Sequence, residues 1–229
     1  MHVAELWRYP VKSMAGERLD SASFTLEGLP GDRLVYVVDR RGSIVSARTR
    51  PGLLRLNGTL GEAGAPLVHG WAWDSGPVGR TVEALVGPGA RLVGHTGFER
   101  FDMLPLMVAT DGAIAALDVD GRRLRPNLVV GGVDGLAERE WGGRLLRVGK
   151  AVVALRDLRQ RCVMTTFDPD TTAQDVEVLK RINREHTGRF ALNGWVAEPG
   201  EVRLGDPVEL LPAGHPVVAG PPTGGRYDG

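Results

Sequence analysis

Short runs of aliphatic and β-branched residues, broken by Gly, Pro and Asp, recur along most of the chain. The segments RLVYVVDRRGSIVSA, RTVEALVGPGARLVGH, RPNLVVGG and RLLRVGKAVVALRDL read as short strands joined by tight turns. Arg41-Gly42 and Gly149-Lys150 are the plainest hairpin tips. This pattern predicts a mainly β protein with a few helices, of barrel or sandwich type. Two segments change period. Thr110 to Asp118, TDGAIAALD, predicts a short helix capped by Thr110 or Asp111. TTAQDVEVLKRINREHTG predicts a longer one, with Val176, Leu179 and Ile182 on one face and Gly188 as its stop. Trp71 and Trp73 alternate on a strand face and read as packing residues, and the tail HPVVAGPPTGGRYDG as disorder. GEAGAP and GPGA read as turns, because neither sits between a strand and a helix as a phosphate loop requires.

Charge changes the picture by exclusion. Lys and Arg number 28 and so do Asp and Glu, so no bulk electrostatic case for nucleic acid exists. Only three of the cations are lysine. Guanidinium suits bidentate phosphate recognition, although a GC-rich genome would give the same bias. The single cysteine excludes an internal disulfide framework and any iron–sulfur cluster held by this chain alone. No run has the length of a signal-peptide core or a bilayer span, so the expectation is a cytoplasmic protein with no membrane partner.

That cysteine, Cys162, sits in LRQRCVMTTFDPDT directly after Arg159 and Arg161, a polar setting for a thiol. Adjacent guanidinium groups favour thiolate, the form that acts as nucleophile and as soft metal ligand. Catalytic nucleophile, redox sensor and metal ligand all fit, beside an inert thiol. His2, His69, His95, His186 and His215 are scattered without chelating spacing. Asp168 and Asp170 in FDPDT could serve as acid or base, yet the same residues make an Asx-turn. In RRLRPNLVV, Pro126 biases Arg125 towards an extended backbone, which would point Arg125 and Asn127 the same way to grip a phosphate or a heterocycle edge. Lys12 and Ser13 in YPVKS, Arg33 in GLPGDR, and Arg48 and Arg50 in SARTR read together as cationic and polar donors around an anionic ligand.

Taken in order, YPVKS, GDR, RPN, RCVMTTFDPDT and RLGDPVELL resemble the MOSC family, in its branch with an amino-terminal β-barrel extension that includes the amidoxime-reducing components. The resemblance spans Val3 to Leu211. It implies a MOSC-type β-barrel over residues 96–212, a smaller amino-terminal barrel lobe over 1–95 and a disordered tail over 213–229. It also implies a molybdenum cofactor, Mo-molybdopterin, whose metal Cys162 ligates. Lys12, Ser13, Arg33, Arg48, Arg125 and Asn127 would contact the pterin and its phosphate, with Asp168 as a further catalytic group. The implied reaction is reduction of a small N-hydroxylated substrate, with electrons from a separate donor protein. Ala113 and the GRFALNGWV stretch depart from the family's pattern. Three rivals stand beside this reading: a carrier of cofactor or sulfur, a metal-free binding domain, and a cysteine hydrolase.

Overall fold

The computed structural model describes residues 1–95 and 97–222. Eight strands form one sheet, in the order Val208–Leu210, Leu145–Val148, Ala151–Gln160, Arg189–Glu198, Leu106–Thr110, Leu128–Gly131, His2–Arg8 and Glu17–Leu19. Leu106–Thr110 and Leu128–Gly131 pair in parallel, which demands a crossover, and the helix α2 (Asp111–Leu117, named in chain order with α1 below) supplies it. At the start of the chain, the amide of Val3 donates to the Asp206 carbonyl, that of Gly205 to Val3 and that of Val208 to Met1. These bonds bring the first strand against the last and close the sheet on itself. The enclosed core contains Leu6, Leu106, Val108, Leu128, Val153 and Leu192. Met107 and Ala109 point outward from the same strand, under α2 and α3 (Val176–His186). Burial on both faces is why this run reads as continuously apolar rather than alternating.

A second core gathers Val11, Val35, Leu53, Val78 and Val82 beneath two small sheets and α1 (Gly76–Val86). One sheet joins Ile44–Val45, Val35–Val38 and Arg91–Gly94; the other joins Gly58–Leu60, Pro66–Val68 and Trp71–Ala72. Phe167 enters this second core from the distant segment that follows Cys162, with Val163 and Met164 packed beside it. Cys162 therefore lies where the two cores meet.

Several local expectations hold. Arg41-Gly42 turns a hairpin, with Gly42 at φ +84° and the Asp39 carboxylate accepting from the amides of Arg41 and Ser43. Thr110 caps α2, its hydroxyl accepting from the Ala113 amide at 3.1 Å.

Others are corrected. RTVEALV is helix, not strand: Pro77 opens α1, and Val78 and Val82, four apart, face the core. Its β-branched residues mimic a strand run, but their burial follows the helical repeat. The buried face of α3 is Val178, Ile182 and His186, not Val176, which is exposed. Thr187 and Gly188 both take left-handed backbone to end that helix. Trp71 is 61% exposed rather than packed. Among the described part of the tail, the Trp195 indole donates to the Ala219 carbonyl at 2.8 Å; residues 223–229 of the expected disordered tail lie outside the described residues. Among the described residues, no helix is long and apolar enough to cross a membrane.

Candidate functional site

Three loops and one strand end converge around Asp102. Lys12, in the turn after His2–Arg8, places its ammonium 2.5 Å from one carboxylate oxygen. Arg48 reaches the other oxygen at 3.3 Å and Arg159 approaches it at 3.9 Å. Burial alone would push the Asp102 carboxyl up; the neighbouring Lys12, hydrogen-bonded to it, and the guanidinium groups of Arg48 and Arg159 outweigh that and hold it down at about 2.

Arg159 sits near the end of the long strand Ala151–Gln160, and this position depends on irregular pairing. The register against Arg189–Glu198 shifts between Leu155 and Leu158 and again before Gln160, opposite Ala191 at φ +61°. Asn193 on that neighbouring strand accepts from the Arg159 guanidinium at 3.0 Å and donates to Asp157 at 2.8 Å, which fixes the arginine's direction. Burial, with repulsion from Arg33, pushes Arg159 down to about 10, so it stays charged at neutral pH. Arg161 is lowered too, by burial and then by Arg159, and donates to the Leu124 carbonyl at 3.0 Å. Cys162 lies in the electrostatic field of both and is half-buried. It opens the 3₁₀ turn Val163–Thr166, which the Thr165 hydroxyl ties back to the Cys162 carbonyl at 2.9 Å.

Asp32 forms a second hub. It is fully buried, accepts from the Tyr9 amide at 2.7 Å and from the Asn127 carboxamide at 3.2 Å, and pairs with Arg33. Asn127 spends its remaining bonds on the protein, donating to the Trp7 carbonyl and accepting from the Met107 amide. It therefore ties the first strand to the parallel pair. Arg125 is not extended as the following proline suggested; it takes φ 56° and ψ 51° as it ends the turn Gly121–Leu124. This turns its guanidinium onto the Tyr9 ring, 4.2 Å from the centroid, with Arg33 5.4 Å from the same ring. Among the described residues the Arg125 guanidinium makes no hydrogen bond and no ion pair, while burial pushes it down to about 10. Ser13 at φ 71° and Arg33 at φ 55° share this left-handed backbone. Three side chains selected from the sequence thus stand on backbone that non-glycine residues rarely adopt, strain that concentrates at working sites.

Lys12, Arg33, Arg48, Arg125, Arg159 and Arg161 give six cations against the carboxylates of Asp32 and Asp102. That surplus in a partly desolvated recess suits an anionic ligand with several oxygens. Beside it, across Arg125 and Tyr9, runs a cleft with about 60 Å³ of free space, walled by Trp7, Leu54, Met164 and Phe167 and rimmed by Arg123. Asp168 stands at the edge of this region rather than at its centre. One of its oxygens accepts from the Thr171 amide and hydroxyl, completing the expected turn, and the other faces Arg123 at 3.4 Å. Ala113 and Leu192, where the chain departs from the family's pattern, are both fully buried core residues.

The sequence passed over Tyr9, Asp32, Asp102 and Asn193. Tyr9 and Asp32 lie inside stretches already singled out, YPVKS and GDR, where the eye goes to the cations. Asp102 and Asn193 carry no local signal. Among the described residues, no three His, Cys, Asp or Glu side chains converge as a metal site.

Two family descriptions match the chain: the MOSC domain over residues 106–209 and the MOSC N-terminal beta barrel domain over residues 1–69. Mitochondrial amidoxime-reducing component 1 of Homo sapiens is 28% identical over an alignment covering 91% of this chain and 82% of that protein. Mitochondrial amidoxime reducing component 2 of Homo sapiens is 25% identical, covering 90% and 82%. Among solved structures, the YUAD protein from Bacillus subtilis covers 91% of this chain and 93% of its own at 14% identity, with a TM-score of 0.47. YiiM from Escherichia coli covers 92% and 72% at 17% identity, with a TM-score of 0.44.

Proposed function

Because the chain belongs to the MOSC family and carries that family's amino-terminal barrel domain, we propose that it is a molybdenum cofactor-binding oxidoreductase acting on N-hydroxylated compounds. The observation that carries this reading is the half-buried Cys162 thiol beside Arg159 and Arg161, at the edge of a recess with six cations and two carboxylates. The residues fit a molybdenum pterin. A soft thiolate ligand suits the metal, a surplus of guanidinium suits a phosphate, and the unpaired Arg125 lacks the partner that such a ligand provides.

In this reading Cys162 is the protein's ligand to the metal, and the pterin dithiolene supplies the other sulfurs. Lys12, Ser13, Arg33, Arg48 and Arg125 hold the phosphate and pterin. Asn127 acts by fixing the first strand and Asp32 rather than by touching the ligand. Asp102 keeps Lys12, Arg48 and Arg159 together before the ligand arrives. When bound, the cofactor supplies two-electron chemistry: the N–OH group takes up two electrons and two protons, giving N–H and water. The electrons come from a separate protein, because a chain with one cysteine cannot hold an iron–sulfur cluster by itself. Asp168, with its carboxylate committed to Thr171 and Arg123, serves as a positioning group for the segment after Cys162.

Molybdenum and pterin per polypeptide, measured in protein from molybdate-replete cells beside Cys162→Ala, test this. Near-stoichiometric metal in the wild type, lost in the mutant together with benzamidoxime reduction by an artificial donor, supports the proposal. A folded wild type lacking both from a cofactor-competent host overturns it in favour of a metal-free binding domain.

A further inference from the structure

The amino-terminal lobe carries a basic outer surface that the recess around Asp102 does not use. At the tip of one hairpin, Arg40 and Arg41 are exposed, and Arg91 is exposed on the strand Arg91–Gly94, opposite Val38. Among the described residues these three guanidinium groups make no hydrogen bond and no ion pair. The carboxylates on the same loops are engaged elsewhere: Asp39 accepts from the amides of Arg41 and Ser43, and Glu83 from that of Gly89 at 2.6 Å. Arg40 and Arg41 line a shallow hollow with Val86 and Pro88 at the end of α1. Arg50 reaches the same place from another loop, donating to the Val86 carbonyl at 3.4 Å. Leu85, next to Val86, stays 38% exposed, an apolar spot among arginines. The strip also leads to the recess. Arg48 and Arg50 share one turn, in which the amides of Thr49 and Arg50 donate to the Ser46 carbonyl, and Arg48 reaches Asp102.

We infer that this strip is the docking surface for a small redox protein with an acidic face, the separate electron donor; the donor's identity as a redox protein rests on the oxidoreductase reading above. An apolar centre ringed by solvated cations is the anatomy of a transient protein interface, in which rim charges steer the encounter and Leu85 supplies the desolvated contact. Charge complementarity selects the partner: this chain has no net charge, so long-range attraction for an acidic protein must come from a local excess such as this one. A partner seated on Arg40, Arg41, Arg50 and Leu85 lies beside the mouth of the recess, because Arg48 stands two residues from Arg50. Each docking passes one electron. Two donor molecules leave oxidised for every N–OH reduced to N–H and water, with two protons taken from solvent.

Calorimetric titration of the full chain with an acidic two-iron plant-type ferredoxin, at low and at raised salt, reads the docking directly. Binding at low salt should weaken steeply as salt rises. The paired change Arg40→Glu with Arg41→Glu should weaken it at least about tenfold, and Leu85→Ser about threefold. Arg147→Glu with Arg203→Glu, exposed arginines on barrel strands, makes the same change in net charge and should alter binding less than about twofold. In the loaded enzyme the Arg40/Arg41 pair should slow ferredoxin-driven turnover and leave turnover with a small artificial donor unchanged. Cys162→Ala should bind ferredoxin like the wild type, so a failure of the molybdenum reading and a failure of the docking surface show in different measurements. No binding at low salt, or equal losses from the two pairs of substitutions, overturns the inference.

Discussion

Arg122 and Arg125 stand one tight turn apart, yet they have opposite lives. Arg122 donates to Asp120 at 2.6 Å and to Asp170 at 2.7 Å, with its side chain 38% exposed. The hydrogen bonds it donates to Asp170 and then to Asp120 hold its guanidinium above its ordinary range. Arg125, turned inward by its left-handed backbone, lies on the Tyr9 ring with no carboxylate of its own. Exposed ion pairs contribute little because water solvates the separated charges nearly as well. A desolvated cation without a partner is unfavourable to the folded chain and becomes favourable only when an anion arrives. The well-bonded arginine is therefore structural, and the poorly bonded one marks the function.

The sharpest break concerns the site that the inward arginine serves: Cys162→Ser, beside Arg159 and Arg161. Serine keeps the size and offers no soft ligand, so metal content should fall to background in elemental analysis while the thermal unfolding midpoint stays within a few degrees. Next is Arg125→Met. Cofactor retention should fall at least about tenfold, yet the ligand-free protein should be unchanged or about 1 kcal/mol more stable by urea unfolding. A strong loss of stability would make Arg125 structural and dissolve the contrast with Arg122.

Asp102→Asn tests the recess itself. Removing the carboxylate leaves Lys12, Arg48 and Arg159 to repel one another, so stability at neutral pH should fall by about 1–3 kcal/mol. The pH dependence sharpens this. The folded carboxyl, at about 2, lies below the ordinary aspartate value of about 3.9, so its stabilisation is fully present above pH ~4 and is lost as pH falls through ~2. Unfolding curves across that window should be flatter in Asp102→Asn than in the wild type. The smallest effect belongs to Arg122→Ala. Its exposed pairs with Asp120 and Asp170 should be worth no more than about 1 kcal/mol and should weaken further in high salt.

How much of this was legible beforehand differs from element to element. Leu128–Gly131, the Gly149-Lys150 hairpin and the Thr110 cap follow from period and turn chemistry, which act between near neighbours. The strand pattern failed at Gly76–Val86, where β-branched residues occupy a helix because Val78 and Val82 find a core there. The cations of the site could be named from the sequence because each lies in a short, recognisable stretch. Their number and chemistry, together with one thiol just after two arginines, already pointed to an anionic ligand and a soft centre. What only tertiary structure decided is which charges remain unsatisfied. Asp102, ninety residues from Lys12, is brought to it by the meeting of two cores, and Asn193 reaches Arg159 only through strand pairing. The left-handed turn that aims Arg125 at Tyr9 overrides the preference set by Pro126, because Asn127 must stay locked between Trp7, Asp32 and Met107. Local sequence sets which groups are available; desolvation and long-range pairing, which depend on the whole packed chain, set which of them still need a partner.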